Sequence, residues 1–141
     1  MSKKKKRLIV LTALWICVIW GHSLMNGETS TAESGRLYEL IMSLIPEWFT
    51  VIVLRKLGHF SEYFILGILL KLDFDAFIKP KQLLAPAIAA WIIAFLDETI
   101  QLFVPERAGM IADVWIDFSG AFLAIILTYV MIILRDKKRH N

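Results

Sequence analysis

The chain has 141 residues, 57% of them hydrophobic and 21% charged, with a formal net charge of +3 and a mean hydropathy of +0.62. Soluble domains carry roughly 45–50% apolar residues, so this composition excludes an ordinary soluble enzyme and points to a membrane protein that fits one domain over residues 1–141. The basic residues gather at Lys3 to Arg7 and at Arg135 to Arg139, which read as cytosolic flanks held near anionic lipid and not as a nucleic-acid patch.

Leu8 to Met25 is an apolar run behind a basic cluster. It reads as a retained first span and not a cleaved signal, because no small-x-small site follows and Trp15, Trp20 and His22 are poor signal-peptide residues. Cys17 inside it reads as a packed thiol, and a lone cysteine forms no intramolecular disulfide. Asn26 to Gly35 reads as a polar connector closing on a capping box, Ser30 with Glu33. Leu37, Leu40, Ile41, Leu44, Ile45 and Trp48 then recur at helical steps, so residues about 36–46 are expected to form an amphipathic helix in the membrane interface, with Pro46 at its boundary.

The second span, about 47–72, is interrupted by Arg55, Lys56, His59, Glu62 and Tyr63. At 100° per residue these fall within an arc of about 120°, giving one polar face. A charged loop from Lys71 to Gln82 is expected next. A third span follows at about 83–104 with Pro86 in its first turn, then a turn at Pro105 to Gly109, then a fourth span at about 110–134. There Asp113, Asp117, Gly120 and Ala124 share a face, and Gly120 with Ala124 has the small-xxx-small spacing that permits close helix approach. The expected fold is therefore an all-α integral membrane bundle of four transmembrane helices plus a short interfacial helix. Four spans with basic ends, and Lys71, Lys79 and Lys81 in the middle loop, place both termini in the cytoplasm.

Asp97 to Gly120 lies between two apolar runs yet carries Asp97, Glu98, Gln101, Glu106, Arg107, Asp113 and Asp117. Ionisable groups at membrane depth are costly and face a protein interior or a wet cavity. At a rise of about 1.5 Å per residue, His22, Lys56, His59 and Asp97 all come out roughly 18–22 Å from the cytoplasmic ends of their spans, with Asp117 and Asp113 at roughly 26 and 32 Å. Independent spans thus deliver polar groups to one outer level. The signs are complementary: Arg55, Lys56, His59 and Arg107 against Glu62, Asp97, Glu98, Asp113 and Asp117. Two readings stay open, a structural ion-pair network and a binding pocket.

Asp113 and Asp117 repel at i,i+4 and burial favours protonation, so either one is neutral or a cation sits between them; Arg107, with its planar fork of donors, is the natural partner, and the same fork suits a phosphate or carboxylate. Lys56 and His59 add positive charge to the pocket. Tyr63 and Gln101 read equally as packing residues, Glu106 as a solvated turn residue, Arg55 as a snorkelling side chain and His22 as a satisfied polar residue near a helix end. His59, Glu62, Asp97, Glu98, Asp113 and Asp117 could supply metal ligands, but their spacing is no metal signature and cations lie nearby, so neither metal nor cofactor is expected. No nucleophile elbow or phosphate-cradling glycine loop is present.

The order Lys56-x-x-His59-x-x-x-Tyr63-x-x-Leu66, Asp97-Glu98-x-x-Gln101-x-x-x-Pro105-x-Arg107, Asp113-x-x-x-Asp117-x-x-Gly120, with Ser23 ending the first span, resembles the VanZ-like family from Leu8 to Leu134. The resemblance implies a small multi-pass protein of the bacterial plasma membrane, with Lys56, His59, Asp97, Glu98, Gln101, Arg107, Asp113 and Asp117 carrying function. Its namesake is linked to low-level resistance to teicoplanin, a glycopeptide acting on outward-facing cell-wall precursors. Many members have glycine before the arginine where this chain has Glu106. The leading expectation is a pocket for an anionic membrane lipid or lipid-linked precursor headgroup. The alternatives are an intramembrane enzyme with Glu98 or Asp113 as general base and Arg107 stabilising developing charge, and a proton-coupled carrier, which at four spans requires a homo-oligomer.

Overall fold

The computed structural model describes residues 2–44, 49–78 and 81–140. It is all-α, with five helices and no strand among the described residues: α1 Lys3–Ser23, α2 Gly27–Ile41, α3 Val51–Phe77, α4 Leu84–Gln101 and α5 Ile111–His140. The apolar runs expected to be helical are helical, but the boundaries move. The basic Lys3 to Arg7 belongs to α1, capped by Ser2, whose side chain accepts from the Lys5 amide. Residues Asn26 to Gly35 are not a connector: Asn26 caps α2 by accepting from the Thr29 amide at 2.8 Å, so Ser30 and Glu33 lie inside the helix. A side-chain acceptor immediately before the first free amides outcompetes one four residues later. Ile45, Pro46, Glu47, Trp48 and Lys79, which enter the expected interfacial helix, the start of the second span and the middle loop, lie outside the described residues.

Three helices, α1, α4 and α5, are long and apolar enough to cross a membrane, where four had been expected. At 27 residues α3 has ample length, about 40 Å at 1.5 Å per residue. Its apolar character is broken by Arg55, Lys56, Glu62, Lys71, Asp73 and Asp75. It is nonetheless the central element, in contact with all four other helices and most extensively with α5. The outward faces of α1, α4 and α5 remain apolar and uncovered, with Leu14, Ile88, Phe95, Phe122 and Leu127 among the exposed side chains. Such a belt would be an aggregation liability in water and suits contact with lipid chains. Cys17 belongs to that exposed surface and is not packed inside.

The core is built from stripes at helical spacing: Tyr63, Leu66 and Leu70 on α3, Ala87, Ala90 and Ala94 on α4, and Val114, Ala121 and Ile125 on α5. The small residues let backbones approach. A Cβ placed on Gly120 would stand 2.3 Å from the Phe60 carbonyl oxygen, and one on Gly67 would stand 2.3 Å from that of Ala121. The close α3–α5 contact therefore uses a glycine from each helix.

The expected loop from Lys71 to Gln82 is largely helix, since α3 continues to Phe77. Lys71 is fully buried, bonds Asp75 one turn on, and sits 5.6 Å from the Tyr129 ring centroid. Around it Thr12 donates to Asp73, Lys5 donates to the Ala76 carbonyl, and the Lys81 amide donates to Asp75 at 3.0 Å. Lys71 is thus a packing residue rather than a loop charge reporting topology. Removing one member of a buried ion pair leaves the other uncompensated, typically at about 3–5 kcal/mol. Lys71→Ala is accordingly expected to lower stability by about 3 kcal/mol, read as a lower thermal midpoint in detergent, and Asp75→Asn should cost less.

Candidate functional site

The stripes that pack the core also carry the polar residues inward. On α4, Asp97, Glu98 and Gln101 continue the buried face of Ala87, Ala90 and Ala94; on α5, Asp117 continues that of Ala121 and Ile125; on α3, Tyr63 lies on the face of Leu66 and Leu70. Helical periodicity alone therefore aims acids from two helices at α3. They converge where α1 ends, α3 begins, α4 ends and α5 begins.

Lys56 pairs with Asp113, and His59 Nδ1 lies 3.8 Å from Asp117 Oδ1, both across the α3–α5 contact. His22 Nδ1 meets Glu62 Oε1, and Trp15 Nε1 donates to the Glu62 carbonyl at 2.9 Å, joining α1 to α3. Glu98 accepts from the Met110 amide at 2.9 Å and from Gln101 Nε2 at 3.0 Å, so it holds the first residues of α5 against the end of α4. Gln101 Nε2 also reaches the buried Ser23 hydroxyl at 3.3 Å.

Arg107 does not pair with Asp113 or Asp117. Its Nε donates to the Met25 carbonyl at 3.1 Å, one terminal nitrogen to the His22 carbonyl at 2.8 Å, and the other to Gln101 Oε1 at 3.5 Å. The end of α1 presents carbonyls without the usual i+4 amide there, His22 accepting only a tighter bond from the Met25 amide at 3.2 Å, and a guanidinium fork in the turn after α4 adds a donor to His22 and Met25 in place of pairing with two acids that already face α3. Burial first, and then the neighbouring Arg55, pull the Arg107 pKa below its ordinary value.

Glu106 is more than a solvated turn residue. It accepts from the Glu28 amide at 3.1 Å, while the Gly27 amide donates to the Pro105 carbonyl at 3.2 Å, clasping the 105–107 turn to the start of α2. Glu106 also has φ 60°, in the left-handed region that favours glycine, which gives the glycine of the resembling proteins a physical reason. Glu106→Gly is expected to be tolerated, its thermal midpoint changing by the equivalent of no more than about 1 kcal/mol, because relieved strain offsets the lost bond and the more flexible unfolded chain. Gly27→Ala should be far worse, since its Cβ would stand 2.0 Å from the Glu106 carbonyl oxygen.

Above this network lies a cavity of about 450 Å³, open to one side and walled by the end of α1, α2, the first half of α3 and Arg107. Arg55, His59 and Glu62 reach it from α3, Ser30, Glu33 and Ser34 from α2, and His22 from α1. Lys56 does not line it. The cation on α3 that faces the cavity is Arg55, which lies within the same arc of about 120° as His59 and Glu62. Among the described residues neither Arg55 nor Arg107 has a carboxylate within 4 Å.

Beneath the cavity, both carboxylate oxygens of Asp97 and of Asp117, the Tyr63 hydroxyl and His59 Nδ1 are buried without a hydrogen bond of ordinary geometry. Among the described residues, ligand atoms of His59, Asp97 and Asp117 lie within 4.8 Å of one another. Of the six potential metal ligands counted in the sequence, these three converge, while Glu62, Glu98 and Asp113 are engaged elsewhere.

Fold and site together define a small α-helical membrane protein whose buried polar cluster ties four helices together at one end. The chain belongs to the VanZ/LLP1 family, whose model matches residues 8–134. No curated protein and no solved structure matches it.

Proposed function

We propose that this VanZ-like membrane protein binds an anionic headgroup, a phosphate or carboxylate, in the cavity between α2 and α3. The observation that carries this reading is the pair Arg55 and Arg107, two cations that reach one cavity and, among the described residues, have no carboxylate within 4 Å, although Glu33 and Glu62 line the same cavity. An anion between them would relieve their mutual repulsion and accept charge-assisted hydrogen bonds. Ser30 on α2 would add a neutral donor, Ser34 already donating to the Ser30 carbonyl at 2.9 Å, and the exposed Leu37 and Leu40 on α2, with Leu44 just beyond it, suit a helix lying in the interface beside acyl chains. In this reading α3 is the fourth span, its polar face turned inward, and the basic ends of α1 and α5 mark the cytoplasmic side of the plasma membrane. The cavity then opens toward the outer leaflet, where both membrane phospholipids and lipid-linked cell-wall precursors present phosphate.

Arg55 is the better probe, because among the described residues it makes no structural bond that its loss would break, whereas Arg107 makes three. Protein in nanodiscs should retain phosphatidylglycerol or a lipid-linked pyrophosphate over phosphatidylcholine, and Arg55→Gln should reduce that retention about tenfold at an unchanged thermal midpoint, the loss of one charge-assisted contact. Separate titrations with each lipid distinguish the two sources. Equal retention of the zwitterionic lipid, or an Arg55→Gln variant that binds as wild type, would defeat the proposal. A precursor ligand would connect the chain to glycopeptide resistance, tested by a raised teicoplanin inhibitory concentration in a susceptible host that Arg55→Gln abolishes.

A further inference from the structure

The cavity does not account for what lies beneath it. Asp97 and Asp117 are completely buried, one from α4 and one from α5, and among the described residues none of their four oxygens has a hydrogen-bonding partner of ordinary geometry, though the Ser23 hydroxyl lies beside Asp97. Buried carboxylates are normally paired or bound to a metal. Lys56 bonds Asp113, Arg107 bonds two backbone carbonyls and Gln101, and Arg55 faces the cavity instead. Among the described residues no lysine or arginine nitrogen lies within 4 Å of Asp97 or Asp117, and the nearest basic group to Asp117 is His59 at 3.8 Å.

We propose that His59, Asp97 and Asp117 hold one divalent transition-metal ion, a zinc- or manganese-type centre that ties α3, α4 and α5 together. The donor set is one imidazole nitrogen and two carboxylates, which suits first-row divalent ions; the nitrogen disfavours magnesium and calcium. A dication, two carboxylates and a neutral imidazole sum to zero charge, the condition under which such groups are stable away from water. The geometry is close. Bonds of about 2.0–2.2 Å place the donors of a tetrahedral site roughly 3.4 Å apart, and the three donors lie within 4.8 Å of one another, with His59 and Asp117 at 3.8 Å. Side-chain rotation covers the difference.

The surroundings supply the remaining parts of such a centre. The Tyr63 hydroxyl is buried and, among the described residues, without a hydrogen-bond partner, so it is free to donate to a ligating carboxylate and fix its orientation. His59 lines the cavity while Asp97 and Asp117 are sealed below it, so the imidazole marks the path by which an ion enters and a fourth position stays open toward the cavity. The site goes beyond the anion-binding reading and does not depend on it.

The test uses the full chain purified in detergent, stripped with chelator and dialysed against Zn²⁺, Mn²⁺, Co²⁺ or Mg²⁺ separately. Elemental analysis should find about one equivalent of Zn²⁺ or Mn²⁺ per chain and no retained Mg²⁺. Reloading should raise the thermal midpoint, and Co²⁺ should give visible ligand-field absorption that Zn²⁺ displaces. Asp117→Asn and Asp97→Asn, which preserve shape, should each reduce metal affinity at least a hundredfold, and so should His59→Gln. Asp73→Asn, at the other end of the bundle, should bind as wild type and controls for general loss of fold. The proposal is overturned if folded wild-type protein takes up no ion under these conditions, or if Asp97→Asn and Asp117→Asn bind it undiminished; in the first case the aspartates carry protons instead. Because the ion is measured without lipid, failure here leaves the headgroup reading standing, and failure of lipid retention leaves the metal result standing.

Discussion

Gly67→Leu is expected to prevent folded protein from accumulating. A Cβ at this position would stand 2.3 Å from the Ala121 carbonyl oxygen and 2.8 Å from its Cα. Both obstacles are backbone, so no side chain can rotate away, and α3 and α5 must separate. Overpacking in a core typically costs about 1–3 kcal/mol, and more when the backbone has to shift. Here the separation would also pull on the Lys56–Asp113 and His59–Asp117 contacts, which cross the same interface. The loss should therefore be about 3 kcal/mol or more, a large fraction of the stability of a small domain. Gly67→Ala should fold with a lowered midpoint. Gly21→Ala is the control: nothing stands within 4 Å of a Cβ there, and alanine in a helix gains about 0.5–1 kcal/mol over glycine. Size-exclusion profiles and thermal melts in detergent read all three, and a Gly67→Leu variant that melts like wild type would refute the close α3–α5 contact.

The outline of this packing was legible in the sequence because it depends on periodicity. Gly120 and Ala124 sit a helical turn apart on the face of Asp117, and that spacing places them at a helix contact without further information. The convergence of His22, the α3 polar face and the acids of α4 and α5 was legible for the same reason, since depth along a helix is a count of residues. Pairings were not. Asp113 and Asp117 lie on one face, but whether Arg107 or Lys56 answers Asp113 depends on how the 102–110 turn folds back on α1, which no helical period encodes. Likewise Lys71 and Asp75 have the i,i+4 spacing of an ordinary surface pair. Only the close approach of α5, with Tyr129 over the ammonium group, makes them a buried one. Arg55 was legible as a charge without a partner near a helix start, but the cavity it lines was not, because α2, which closes the far wall, begins nine residues earlier than its apolar repeat suggests.

Arg107→Ala is expected to have the second large effect, and of a different kind from Arg55→Gln. Arg107 joins the His22 and Met25 carbonyls at the end of α1 to Gln101 at the end of α4. Its removal leaves those acceptors short of a donor at a half-buried position. Hydrogen bonds from a charged donor are worth about 1.5–3 kcal/mol each. Partial replacement by water should hold the total near 3 kcal/mol, lowering the thermal midpoint while headgroup retention falls at least tenfold. Arg107→Lys separates the two roles. An ammonium keeps the charge but cannot reproduce a planar fork that reaches two carbonyls and an amide at once, so lysine should recover part of the lipid retention and little of the stability. Full recovery of both would mean that charge alone matters and that the fork geometry does not. If Arg107→Ala loses retention at an unchanged midpoint, the bonds to α1 are not structural, and Arg107 would then serve only the ligand.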